Sequence, residues 1–247
     1  MVALTSSHPP AATAGPGCEA VTGSLIAEPV ATASSLAFVA AAAAILAVHR
    51  RGPTGDARAV EGDLRGYAAL VAGIGLGSVV QHGPDPAWSD LAHDLPLLAT
   101  LTFVAADCVA DLTGRARRWW GWAAPTAALT PLIVAAPRAG DLAQAGVAAA
   151  AVALAASRAR AVPRLRRRIG CSLALLVLGA SIGTLSRAGG PLCFPESPWQ
   201  GHAAWHVLAA AALVVLAPVI GVRHASAREV RPAEGSPEAP HRRPSGG

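Results

Sequence analysis

Seven stretches dominated by apolar residues recur along the chain, at 25–48, 66–82, 93–112, 119–136, 142–157, 169–188 and 202–222. Shorter segments carrying Arg, Asp, Pro and Gly separate them. A helix needs about 20 mostly apolar residues to cross the hydrocarbon core of a bilayer, so each stretch predicts a transmembrane helix. The fourth and fifth are short and Ala-rich, and their edges are the least sharply marked. The pattern predicts an all-α membrane protein built as a seven-helix bundle over residues 25–222. Residues 1–24 contain no basic residue and no compact apolar region, which reads as an exposed tail rather than a cleaved signal peptide. Residues 223–247 are rich in Pro, Gly, Ser and charge; they bury too little apolar area to order themselves and read as a disordered tail.

The connections decide the orientation. Arg50, Arg51, Arg58 and Arg65 lie at the first; Arg115, Arg117 and Arg118 at the third; Arg158, Arg160, Arg164, Arg166, Arg167 and Arg168 at the fifth. The C-terminal tail adds Arg223, Arg228, Arg231, Arg242 and Arg243. Eighteen of the twenty Arg thereby fall on one side, leaving only Arg138 and Arg187 on the other. Cytoplasmic loops concentrate Lys and Arg, so the N-terminus is expected outside and the C-terminus in the cytoplasm. The alternation itself calls for an odd number of spans.

Composition agrees with this layout. The hydrophobic set makes up 53% of the chain and charged residues only 14%, against about 25% in an average soluble domain; the mean hydropathy is +0.43. A disordered or collagen-like chain is excluded, and a soluble enzyme fits poorly. The basic balance does not imply nucleic acid, because the Arg residues sit in short runs between apolar stretches rather than on one folded face. Every basic residue is Arg and none is Lys. With the abundance of Ala, this suggests a high-GC bacterium, and hence a multi-pass protein of the bacterial plasma membrane. Gly73-Ile74-Gly75-Leu76-Gly77 looks like a fragment of a dinucleotide fingerprint, but it lies inside an apolar span with no strand before it. Small residues at that spacing let helices approach closely in lipid.

Ionisable groups inside spans are costly and usually functional. Four of the eight His residues stand at the predicted outer ends of spans: His82, His93, His202 and His206. Ser78 and His82 are four residues apart, as are His202 and His206, so each pair shares a helical face. Asp94 adjoins His93. Because neighbouring spans alternate in direction, these residues share one depth. Three imidazoles from two helices with a free fourth position form the ligand set of a catalytic zinc site. Zinc lowers the pKa of a coordinated water to about 7, a nearby carboxylate can move its proton, and a hydroxyl such as that of Ser78 can donate to a developing oxyanion.

These residues resemble the alkaline ceramidase family, within the superfamily of seven-span hydrolase-like proteins that also holds the adiponectin and progestin receptors. Four places carry the likeness. They are Cys18-Glu19 with Ala27-Glu28-Pro29-Val30-Ala31-Thr32-Ala33-Ser34-Ser35; Ser78-x-x-x-His82; His93-Asp94-Leu95-Pro96; and Cys193 followed by Gly201-His202-Ala203-Ala204-Trp205-His206. The resemblance implies that His82, His202 and His206 hold zinc, that Ser78 assists the oxyanion, and that an Asp handles the proton. It implies hydrolysis of the amide of ceramide, and by extension of another N-acyl lipid held in the bilayer. Aligned on Leu-Pro, the family's catalytic Asp falls on His93 and the next acid on Asp94. Asp94 is therefore the chosen proton carrier, with Asp90 a second candidate and His93 a possible fourth ligand. The family's calcium site implies Glu19 and Glu28 here, but Pro16-Gly17 replace an Asp-Trp pair, and a hard cation wants six to eight oxygens. Glu28 is equally placed to cap the first helix.

Cys18 and Cys193 both lie on the predicted outer side, where disulfides persist, and the family has the same pairing. Cys108 and Cys171 fall within spans and read as small apolar residues. Asp107 and Asp111 share a face near the inner end of the third span, with Arg115 or Arg117 as expected partners. Three further readings compete with the amidohydrolase. One is a non-enzymatic receptor or sensor with a structural zinc. Another is a haem protein, although His202 and His206 stand on one helix and cannot sandwich a haem between them. The last is a serine hydrolase using Ser78 and His82 as nucleophile and base.

Overall fold

The computed structural model describes residues 14–49 and 57–222. The greater part of the N-terminal tail, Arg50, Arg51 and the C-terminal tail lie outside the described residues. Within them the chain forms α1 (Pro29–His49), α2 (Ala57–His82), α3 (Ser89–Thr113), α4 (Trp120–Ala135), α5 (Pro137–Ala161), α6 (Arg166–Leu185) and α7 (Gly201–Leu216), with single 3-10 turns before α6 and after α7. Six of these helices are long and apolar enough to cross a membrane. The exception is α4, with 16 residues. The described residues thus form an all-helical bundle consistent with a multi-pass membrane protein.

Local chemistry sets the boundaries. Pro137 lacks an N–H and has a fixed φ, which suits it to the first turn of α5. It also drives the preceding residue out of the helical region. Ala136 accordingly sits at φ −147° and ψ 76°, and α4 stops there. Thr113 ends α3 because Gly114 adopts a left-handed conformation, φ 69°, that glycine reaches without steric cost. Several helices overrun their apolar stretches. Although its apolar stretch starts at residue 66, α2 begins at Ala57; likewise α5 begins at Pro137 rather than at 142. Polar side chains in a helix's end turns reach water without breaking the backbone ladder, so hydropathy marks the membrane core and not the helix.

The helices pack around a closed circuit. Helix α1 lies against α2 and α7, α2 against α3, α3 against α4 and α5, and α6 against α5 and α7. Lipid tails are as apolar as the helices, so close backbone approach replaces the hydrophobic drive. The glycine run of α2 provides it. A Cβ at Gly73 would stand 3.0 Å from Pro96 Cβ, one at Gly75 3.0 Å from Phe38 Cβ, and one at Gly77 2.9 Å from His93 Cα. Gly73 and Gly77 thereby admit α3, and Gly75 admits α1. On α6, Gly183 makes the same allowance for Trp205 of α7 (3.1 Å to its Cβ). Trp88 and Trp199 are exposed at one end of the bundle, Trp119 and Trp120 at the other. Amphipathic rings favour the two membrane interfaces.

Buried charge secures the end that holds the C-terminus of α3. Arg158 of α5, 1% exposed, donates to Asp111 Oδ2 at 2.6 Å and to Asp107 Oδ2 at 3.1 Å, and its Nη2 reaches the Val219 and Val222 carbonyls. Asp107 also accepts from the Gly221 amide. Arg117 approaches Asp107 at 3.8 Å and pairs with Asp63 of α2. The expected partnership with Arg117 is thus present at Asp107, but it is not the main one. The principal partner is Arg158, whose place in the last turns of α5 puts it inside the bundle rather than in a connection.

Candidate metal centre

The opposite end of the bundle carries the candidate site. Helix α2 ends at His82, and α7 begins one residue before His202. The two helices run in opposite directions, so their terminal turns meet at one depth. His202 and His206 lie on one face of α7. Nε2 of His202 stands 3.2 Å from Nε2 of His82, and the ring centroids of His202 and His206 are 4.5 Å apart. One potential ligand atom from each of His82, His202 and His206 lies within 4.8 Å of the other two. His82 and His206 are buried, and His202 is half-buried. Three nitrogens gathered this closely can hold a metal ion.

Ser78 stands one turn before His82 and is fully buried. Among the described residues its hydroxyl oxygen has no hydrogen-bond partner, which costs free energy unless something else enters the site. The donor set and this orphaned hydroxyl fit a metal centre. No Ser78–His82 hydrogen bond forms, so the nucleophile–base pair of a serine hydrolase is not assembled. The convergence of the three rings also leaves no space for a porphyrin between them.

The segment 14–28 and the start of α1 surround the cluster. Cys18 is bonded to Cys193, with Cα atoms 5.5 Å apart, closing a separation of 175 residues. Backbone bonds from Ala20 to the Pro195 carbonyl and from Ala188 to the Pro16 carbonyl seat the segment on the connection before α7. Gly17 packs flat on the third imidazole, since a Cβ there would stand 3.0 Å from His202 Cγ. Glu19 accepts from the Val30 and Ala31 amides at 2.6 and 2.8 Å, and so caps α1. That corrects the capping role expected of Glu28. Instead, Glu28 Oε2 lies 2.5 Å from His82 Nδ1, and its amide donates to the His82 carbonyl. Ser34 Oγ lies 2.9 Å from His206 Nδ1.

Among the described residues, Glu19 and Glu28 do not by themselves make up a calcium shell. Both Glu19 oxygens serve backbone amides and one Glu28 oxygen serves His82, short of the six to eight oxygens the ion prefers. His93 stands outside the three-histidine cluster. Its Nδ1 bonds Asp94 Oδ1 at 2.7 Å, and both side chains are about one-fifth exposed (21% and 19%). Asp90 is exposed and accepts from Gln81 Nε2 at 2.9 Å. Cys108 is buried and Cys171 exposed, both as free thiols.

No protein-family profile and no curated protein matches the chain.

Sequence reading brought together the three histidines but not their supports. Ser34 and Gly17 went unremarked as contacts of the site, and Glu28 was assigned elsewhere. The available signal was the Ser34-Ser35 pair within an apolar helix, about two turns beyond the acid Glu28.

Proposed function

We propose that this chain is a membrane-embedded, zinc-dependent amidohydrolase that cleaves the amide bond of ceramide or a related N-acyl lipid. Water adds to the amide carbon, the C–N bond breaks, and a fatty acid and an amine leave. The convergence of His82, His202 and His206 within 4.8 Å is the observation that carries this reading. Three histidines with an open position are the ligand set of catalytic zinc. When bound, zinc supplies Lewis acidity that makes hydrolysis feasible at neutral pH.

The chain's own residues supply the remaining functions. Ser78 donates its free hydroxyl to the carbonyl oxygen as negative charge develops there. Asp94, held by His93, takes a proton from the attacking water and returns it to the departing amine. The apolar flanks of the helices admit the acyl chain from the bilayer. In this reading α4 completes a seven-span bundle in a bacterial plasma membrane. The N-terminus and the site face outward, and the Arg-rich connections face the cytoplasm.

Purified protein is expected to release fatty acid from a labelled N-acyl lipid, and His82→Ala or His206→Ala to abolish release. Unchanged turnover in either variant would overturn the mechanism. Metal binding without turnover across a panel of N-acyl lipids would instead indicate a non-enzymatic receptor or sensor, in which chelation lowers thermal stability.

A further inference from the structure

Glu28, the residue before α1, and Ser34 within α1 contribute no ligand to the cluster, yet each meets one of its histidines at Nδ1. Glu28 Oε2 meets His82 Nδ1 at 2.5 Å, with both side chains more than nine-tenths buried. A carboxylate only accepts, so His82 Nδ1 carries the hydrogen and Nε2 keeps its lone pair. Nε2 is the atom that faces His202. The second contact obeys the same logic. Ser34 has one hydroxyl hydrogen, and its Oγ donates to the Ala31 carbonyl at 2.9 Å. With that hydrogen on Ala31, the ring is the donor in the 2.9 Å bond between Ser34 Oγ and His206 Nδ1. The carboxylate thereby sets His82 as the Nδ1–H tautomer with Nε2 bare, and Ser34 holds the His206 ring at its Nδ1.

We infer that Glu28 and Ser34 are positioning residues of the metal centre. They hold the His82 and His206 rings by Nδ1 in the orientation that presents Nε2 to a divalent metal. The inference rests on the proposed metal site but not on its substrate. A histidine ligand that donates its other N–H to a carboxylate typically loses about 10- to 100-fold in metal affinity when that acceptor is removed. Glu28 is also docked by its own amide on the His82 carbonyl, so the carboxylate cannot swing away without moving the end of α2. One Glu28 oxygen remains without a partner. The side chain is therefore committed to a single strong bond rather than spread over a network.

The test is zinc affinity of the full-length protein in detergent, measured by competition with a chromogenic chelator. Wild type, Glu28→Ala, Glu28→Gln and Ser34→Ala are compared, with thermal melting of each. Glu28→Ala is expected to weaken zinc about 10- to 100-fold. Glu28→Gln should recover part of that loss, because its amide oxygen still accepts from Nδ1–H. The loss in Ser34→Ala should be smaller than in Glu28→Ala, because a hydroxyl is a weaker acceptor than a carboxylate. Should Glu28→Ala fail to fold, the comparison of Glu28→Gln with wild type decides. Wild-type zinc affinity in folded Glu28→Ala, or in Glu28→Gln if that alone folds, overturns the inference, even where wild type hydrolyses lipid. Weakened zinc in a protein that cleaves no N-acyl lipid supports the inference and rejects the proposed reaction instead. A wild-type protein that binds no zinc overturns both.

Discussion

Ser78 and His82 sit one turn apart on α2, yet only His82 has a polar partner in the resting site. An unmade buried hydrogen bond costs roughly 1–3 kcal/mol, so Ser78→Ala should leave the melting temperature unchanged or raise it. The same change should lower kcat about 100-fold, the usual cost of deleting one oxyanion donor. A lowered melting temperature with unchanged turnover would contradict that assignment. The two acids near the site separate in the same way. Asp94 is held by His93, whereas the exposed Asp90 is held by Gln81. Asp94→Asn should therefore lose about 100-fold or more in turnover while keeping its metal, and Asp90→Asn should behave as wild type. Steady-state hydrolysis beside metal analysis checks both. The histidines were legible because i,i+4 spacing fixes a helical face without knowledge of the fold. Glu28 and Ser34 were not, because which ring nitrogen a side chain meets depends on how three helices dock.

Two helix contacts carry more weight than composition suggests. A side chain at Gly77 would run into the backbone of α3 at Ala92 and His93, where no rotamer change can relieve it. Gly77→Val should destabilise by about 1–3 kcal/mol or more, as overpacking does, read as a lowered melting temperature and a loss of folded yield. Gly146, with open space around it, is the control and should tolerate Ala. The glycine run was legible as a packing device from its place inside an apolar span. The helix ends were not, since hydropathy stops where the membrane core stops. Arg158 illustrates the cost of that blind spot. Assigned by sequence to a connection, it is buried between two carboxylates and two carbonyls. Arg158→Met removes the guanidinium from Asp107 and Asp111 and should destabilise by about 3–5 kcal/mol. Because the network lies at the end opposite the histidines, metal content of whatever protein folds should be unchanged.

Taken together, the fold places covalent and ionic fastenings at its two ends and small-residue contacts between them. The Cys18–Cys193 bond ties the first described segment to the connection before α7, and Gly17 and Glu19 beside it touch His202 and cap α1. Replacing both cysteines by Ser should destabilise by about 2–4 kcal/mol, typical of a long closed loop, and should weaken metal retention through the lost support of His202. Spectroscopic melting and metal analysis after dialysis check the two effects. Bundle class, the disulfide and the histidine cluster were all reachable from the order of apolar stretches and the alternation of helix direction. The most direct test of the central claim is the metal content of purified protein beside its His82→Ala, His202→Ala and His206→Ala variants. About one divalent ion per wild-type chain, and loss of it in each variant, is the predicted result. A metal-free wild type, or folded variants that keep their metal in full, would contradict it.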